Sequence, residues 1–325
     1  MPTREKKQRW LLGILLALCG VTELCAHETP IALLQLRETQ AGSFLEAWTY
    51  SSSVNMEAPT PVYPDHCNYR PPRVHCGETG LIGPLTFEKL GQDYSAAVVR
   101  VRGLSGATHS YTLTAAQPVI NLTASGILPW RQVAGSYLPL GFEHILLGLD
   151  HLLFVLGLML LVASPWMLVK TITAFTIAHS ITLAAATLGW VGVPERAVNA
   201  AIALSIVFVA VEIIKLWRGQ PGLSARYPWA VAFGFGLLHG FGFAGALTDI
   251  GLPPENLPLA LLFFNVGVEL GQLAFVLLVL LLMRAHQQLQ AGFSQRAQAV
   301  GVYALGAVAS FWFIERMNMM VQAGL

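Results

Sequence analysis

Charge is scarce in this chain. Asp, Glu, Lys and Arg make up 11% of its 325 residues, where a soluble domain carries roughly a quarter. The 19 basic and 18 acidic residues nearly cancel and no basic stripe rises above the short loops, which excludes nucleic acid as a partner. No Walker-type nucleotide loop is present, so the sequence carries no ATP-driven motor. Cysteine is scarce as well, with four in total. Neither Cys nor Met clusters beside the polar residues of the apolar half, which makes copper(I) a poor fit there.

What the chain has instead is apolar length. Hydrophobic residues are 54% of the total, and the composition is that of a membrane protein. The first residues, "MPTREKKQRWLLGILLALCGVTELCAHETP", combine a basic start (Arg4, Lys6, Lys7, Arg9), an apolar core too short to span a bilayer, and small residues near Ala26. That is a secretory signal pattern, with cleavage expected after Ala26. Removal of residues 1–26 takes Cys19 and Cys25 away and leaves Cys67 and Cys76. An even pair in an exported segment predicts a disulfide, the alternative being zinc held by the doublets His66-Cys67 and His75-Cys76. Cleavage would also leave His27 as the new N-terminal residue, whose amine and imidazole could chelate a metal together.

From 27 to 125 the composition is soluble. Short runs such as "IALLQLRE" and "SAAVVRVRGL" alternate apolar and polar residues between Gly, Pro, Asn and Ser punctuation, which predicts a small all-β, sandwich-like domain. Residues 126–140 read as an interfacial linker, with Trp130 and Tyr137 suited to the membrane boundary. Residues 141–325 then predict an all-α bundle of six spans, near 142–163, 167–189, 197–216, 228–248, 257–283 and 297–314. Lys170, Lys215, Arg218, Arg226, Arg284 and Arg296 fall on one side, whereas Arg196 and Arg316 fall on the other. By the positive-inside rule the front domain and the C-terminus are extracytoplasmic, in an inner (cell) membrane.

The oily spans carry ionisable residues, each costing about 2.5–3.5 kcal/mol to insert, which marks them as functional candidates. "GFEHILLGLDHLLFVLGLMLLV" holds Glu143, His144, Asp150 and His151. His144 and His151 are seven residues apart, about 10 Å along a helix, so an intact helix cannot give both to one ion. Either the helix opens near Gly148 or the two serve successive stations. Further along, "TAFTIAHSITLA" carries His179 and Ser180, "IALSIVFVAVE" carries Ser205 and Glu212, and "GFGLLHGFGFAGAL" sets His239 among glycines. "FNVGVELGQL" places Asn265, Glu269 and Gln272 on one helix face.

By depth, Asp150, His151, His179, His239 and Glu269 lie near the midplane, with Glu143 and His144 near the outer mouth and Glu212 nearer the cytoplasm. Imidazoles with carboxylates suit nickel, cobalt or zinc as the bound or carried ion, with no organic cofactor. Binding should weaken as pH falls through the histidine range. The blander reading is an internal hydrogen-bond network, with Thr173, Thr176 and Ser205 bonded to their own helix backbones. Two other readings use the same residues: an intramembrane zinc hydrolase with Ser180 nearby, and a bis-histidine haem protein.

These blocks, in this order on successive spans, resemble the signatures of the HupE/UreJ family, regarded as nickel or cobalt permeases associated with hydrogenase and urease. The resemblance covers about Leu138 to Leu282. It implies a metal role for the H-x5-D-H residues His144, Asp150 and His151, and extends it to His179, His239 and Glu269 in the matching blocks. Glu143, Ser180, Glu212, Asn265, Gln272 and His27 are accessory candidates. The implied partners are the metal ion, the lipid bilayer, and metallochaperone or metalloenzyme maturation proteins. The exported front domain is an addition to the shorter family pattern.

Overall fold

The computed structural model describes residues 31–50, 59–90, 94, 96–115, 117–123, 128–243, 256–288 and 295–322. The signal segment, His27 and the end of the fourth predicted span lie outside the described residues. The chain divides into two compact units. One comprises Glu28–His144 with Gly245–Gly267, and the other takes in Ile145–Ala244 and Val268–Leu325.

Among the described residues the first unit has nine strands: β1 (Ile31–Gln40), β2 (Ser43–Tyr50), β3 (Thr60–Val62), β4 (Asn68–Arg70), β5 (Arg73–His75), β6 (Gly83–Glu88), β7 (Ala96–Arg102), β8 (Thr108–Thr114) and β9 (Val119–Leu122). They form a six-stranded sheet in the order β4-β5-β2-β1-β7-β8 and a three-stranded sheet in the order β3-β6-β9. β1 and β7 pair in parallel at the centre of the larger sheet, and the other strand pairs are antiparallel. Alternation on β1 buries Leu34 and Leu36, while β7 buries four consecutive residues, Ala96–Val99, as a central strand covered on both faces does.

β1 and β2 are joined at Ala41-Gly42, where Gly42 has φ 69°. A Cβ at Gly42 would run into the backbone carbonyl of Gly77, and the Cys76 N–H donates to the Gly42 carbonyl at 2.7 Å. Only glycine satisfies both the left-handed backbone and the close approach. Just beyond β5, Cys76 is joined to Cys67 in a disulfide. His66 meets the Gly80 carbonyl at 2.9 Å and His75 meets the Ser43 hydroxyl at 2.8 Å. On β2, Glu46 accepts from Trp48, Tyr63 and Tyr69 at 2.6, 2.9 and 3.1 Å. Burial and this carboxylate push the Tyr69 hydroxyl up to about 12.

The predicted linker is largely helical. α1 (Trp130–Leu147) begins two residues past Leu128, and Tyr137 is buried within the protein. The Tyr137 hydroxyl lies 2.6 Å from that of Thr112 on β8, and Ser136 donates to the Thr112 carbonyl at 2.8 Å. Polar partners on the sheet hold this turn, a long-range contact that local composition does not encode.

Seven more α-helices follow among the described residues: α2 (Leu149–Leu161), α3 (Pro165–Thr187), α4 (Glu195–Trp217), the short α5 (Leu223–Arg226), α6 (Pro228–Gly242), α7 (Leu257–Gln288) and α8 (Gln295–Gln322). Four of them (α3, α4, α7 and α8) are long and apolar enough to cross a membrane, and α1 with α2 makes a fifth if the bent pair is one span. The first predicted span is thus not straight, since α1 and α2 meet at Gly148 with a 72° bend. Within the described residues α6 has 15 residues, short of the roughly 20 that a straight span needs. α3 starts with Ser164 accepting from the Met167 N–H and Pro165 in the first turn, a strong helix-start signal.

The pair α3 and α6 packs through glycine. A Cβ at Gly236 would meet the Phe175 carbonyl and Ala178, and one at Gly240 would meet the His179 carbonyl and the Thr182 hydroxyl. The Gly236-x-x-x-Gly240 step therefore lets two backbones touch and delivers His239, between them in sequence, to the face of α3 that carries Phe175 and His179.

Candidate metal centre

The bend at Gly148 makes a helix N-terminus inside an apolar unit. Asp150 stands in the first turn of α2, and its Oδ1 accepts the backbone N–H of His151 at 2.9 Å. A carboxylate is favoured there because the first N–H groups of a helix have no intrahelical acceptor and carry partial positive charge. The same Oδ1 lies 3.0 Å from Nδ1 of His151. A carboxylate on one ring nitrogen orients an imidazole and turns the other nitrogen outward as a ligand.

His151 and His239 meet edge to face, with ring centroids 5.1 Å apart, and both are buried. Phe154 from α2 and Phe175 from α3 press on His239 at 5.2 and 5.0 Å. His179, fully buried, stacks on Phe175 at 6.2 Å. The walls are aromatic, so charge placed between the imidazoles is little screened by water.

The Ser205 hydroxyl sets the protonation of His239. It donates to the Ile202 carbonyl at 2.6 Å and lies 3.1 Å from Nε2 of His239. A hydroxyl has one proton, so Ser205 meets His239 as an acceptor and the ring proton sits on Nε2. The neutral ring then has its lone pair on Nδ1. That atom is buried and has no hydrogen-bond partner among the described residues. An orphaned imidazole lone pair beside a second imidazole and a carboxylate is a ready metal ligand.

Thr173 donates to Oε1 of Glu269 at 2.6 Å and Thr176 donates to Oε1 of Gln272 at 3.0 Å. At 100° per residue, Thr176 lies about 60° from both Thr173 and its i+3 neighbour His179, so Glu269 and Gln272 attach to a flank of α3 that borders the His179 face. Oε2 of Glu269 is buried without a hydrogen-bond partner among the described residues. Ser180 donates to the Thr176 carbonyl at 2.7 Å, and Asn265 to the Leu261 carbonyl at 2.7 Å. Both oxygens of Glu212 are engaged, one by Lys215 at 3.1 Å and one by the Ser224 N–H at 3.1 Å, which ties down the start of α5. In the first unit, His144 lies 5.6 Å from Phe264, ring to ring, and Glu143 is half-buried.

Two polar residues join the centre that the spacing of motifs does not reveal. Ser205 bonds its own backbone, as a lone serine in a span does, and also serves His239. Arg316, expected in an outer tail, lies on α8 with its guanidinium 3.5 Å from Oδ2 of Asp150. The signal for it is periodic: Leu305, Ala309 and Trp312 are all buried, and Arg316 continues that i, i+4, i+7, i+11 stripe.

Fold and site together define a polytopic membrane protein with a β unit and a buried histidine–aspartate centre. The family model for the HupE/UreJ protein matches residues 117–316. The chain belongs to the HupE/UreJ family, and its apolar helices fit the membrane character and nickel- or cobalt-transport association of that family. Neither the curated proteins nor the solved structures contain a match.

Proposed function

We propose that this protein is a six-span permease for a divalent transition metal, nickel or cobalt, with its β domain and C-terminus extracytoplasmic. His151 and His239 supply imidazole nitrogens, Asp150 supplies negative charge, and His179 stands one aromatic ring away. The observation that carries this reading is the buried, partnerless Nδ1 of His239 beside His151 and Asp150. Neutral nitrogen with a single carboxylate suits a borderline ion better than magnesium or calcium, whose sites are rich in oxygen.

Glu269, with Thr173 and Gln272 close by, offers a second polar station on the flank of α3 that borders the His179 face. Two stations favour movement over a single enclosed site, because conduction requires that binding be shared and not too tight. A haem between the two imidazoles is disfavoured, since rings 5.1 Å apart and edge to face leave no slot for a macrocycle.

Proteoliposome uptake tests the reading. Wild-type protein should carry nickel or cobalt into vesicles, and His151→Ala should reduce the initial rate at least tenfold. Stoichiometric metal bound without flux in either protein would instead support the hydrolase reading, in which one coordination position stays open for water.

A further inference from the structure

Arg316 is costly where it sits. Its side chain is 11% exposed, on a helix long and apolar enough to cross a membrane, where a guanidinium needs partners. It has three. Its Nη1 donates to the Asn199 carbonyl on α4 at 2.6 Å, its Nη2 lies 3.5 Å from Oδ2 of Asp150, and its guanidinium lies 5.9 Å from the ring centroid of Trp312.

These contacts are unequal. The bond to the carbonyl is short, whereas the approach to the carboxylate is longer than the roughly 2.7–2.9 Å of a tight charge-assisted hydrogen bond. The guanidinium is thus moored to α4 and the Trp312 ring and leans on Asp150. The two oxygens of that carboxylate are divided between two side chains: Oδ1 faces His151 and Oδ2 faces Arg316.

We infer that Arg316 is a tethered counter-cation that holds Asp150 when no cargo is bound and competes with the cargo for that carboxylate. The inference rests on the permease reading. Without a positive partner, a buried Asp150 would be an uncompensated charge. With a permanently strong partner, it would never yield to a metal. A guanidinium anchored elsewhere resolves both needs, because it can withdraw from Oδ2 while keeping the Asn199 carbonyl and the Trp312 face. When the ion arrives, its charge replaces that of Arg316 at Asp150, and the return of Arg316 opposes retention. Arg316 is therefore a positioning residue that sets affinity and release. It is not itself a ligand, since guanidinium has no lone pair to offer.

The test measures cobalt(II) binding by calorimetric titration of the full-length detergent-purified protein, together with uptake by the same protein in liposomes. Arg316→Gln should bind cobalt about tenfold more tightly and show a lower maximal uptake rate, so that the apparent KM and the maximal rate fall together. Arg316→Lys, which restores a cation, should recover most of both changes. In an Asp150→Asn background, Arg316→Gln should have no further effect on affinity.

Unchanged or weaker binding by Arg316→Gln, while wild type binds cobalt, would overturn the inference and leave the permease reading standing. So would an Arg316→Lys variant indistinguishable from Arg316→Gln. If Arg316→Gln does not fold, Arg316→Met takes its place: tighter cobalt binding than wild type in the native background, with no further change beyond that of Asp150→Asn alone in the Asp150→Asn background, would support the pairing, and equal shifts in both would overturn it. Failure of the wild-type protein to bind either cobalt or nickel would overturn the permease reading and this inference together.

Discussion

On the permease reading His239 would bind the metal through Nδ1, since Ser205 occupies Nε2 and the proton of Ser205 is spent on Ile202. Removing that hydroxyl should leave the ring free to place its proton on either nitrogen. Partners of this kind commonly contribute 10–100-fold in affinity. Ser205→Ala is therefore expected to weaken cobalt binding about tenfold in a calorimetric titration, and an unchanged affinity would contradict the tautomer assignment. Asp150, His151, His179 and His239 are legible in the sequence because ionisable residues in oily runs need a reason to be there. Arg316 is harder to read. It follows the last clearly apolar window, so an average over composition places it in a tail, whereas the spacing of Leu305, Ala309 and Trp312 places it on a buried face.

Among the helices, the pairing of α3 with α6 positions the site, and it depends on backbones that touch. At Gly240 a Cβ would press on the His179 carbonyl, which cannot move without shifting α3, whereas at Gly234 a Cβ would meet nothing within 4 Å. Gly240→Ala should cost about 1–3 kcal/mol, the usual range for overpacking. It should also lower the thermal midpoint in a detergent melt and weaken metal binding, with Gly234→Ala as the tolerated control. Equal behaviour of the two variants would remove the close-packing argument.

The bend at Gly148 is legible in part. The seven-residue spacing of His144 and His151 requires either an opening or two stations, and a break is present where the N–H groups of α2 meet Asp150. The burial of Tyr137 is not legible, because its partner Thr112 is remote in sequence and belongs to a strand. Nor is the sharing of partners along α3, where Thr173, Thr176 and His179 follow one another at i, i+3 spacing but Glu269 and Gln272 take the first two while His179 stacks on Phe175.

Across the whole molecule, the family match begins at residue 117, after the last residue of β8. Strands β1–β8 thus lie ahead of the family region, and their alternating burial and disulfide give them a hydrophobic core of their own. Four spans are readable from composition alone, since α3, α4, α7 and α8 each cover an apolar run, although α8 continues to Gln322, well past the end of its run. What composition does not supply is which polar side chains converge, because that is set by helix packing rather than by the runs themselves.

The ligand set is the central claim, and X-ray absorption on nickel-loaded, full-length protein measures it most directly. The account predicts a nickel shell that contains at least two imidazole nitrogens and loses one of them in His239→Ala. A shell of oxygen alone, or a wild-type spectrum that His239→Ala leaves unchanged, would contradict it.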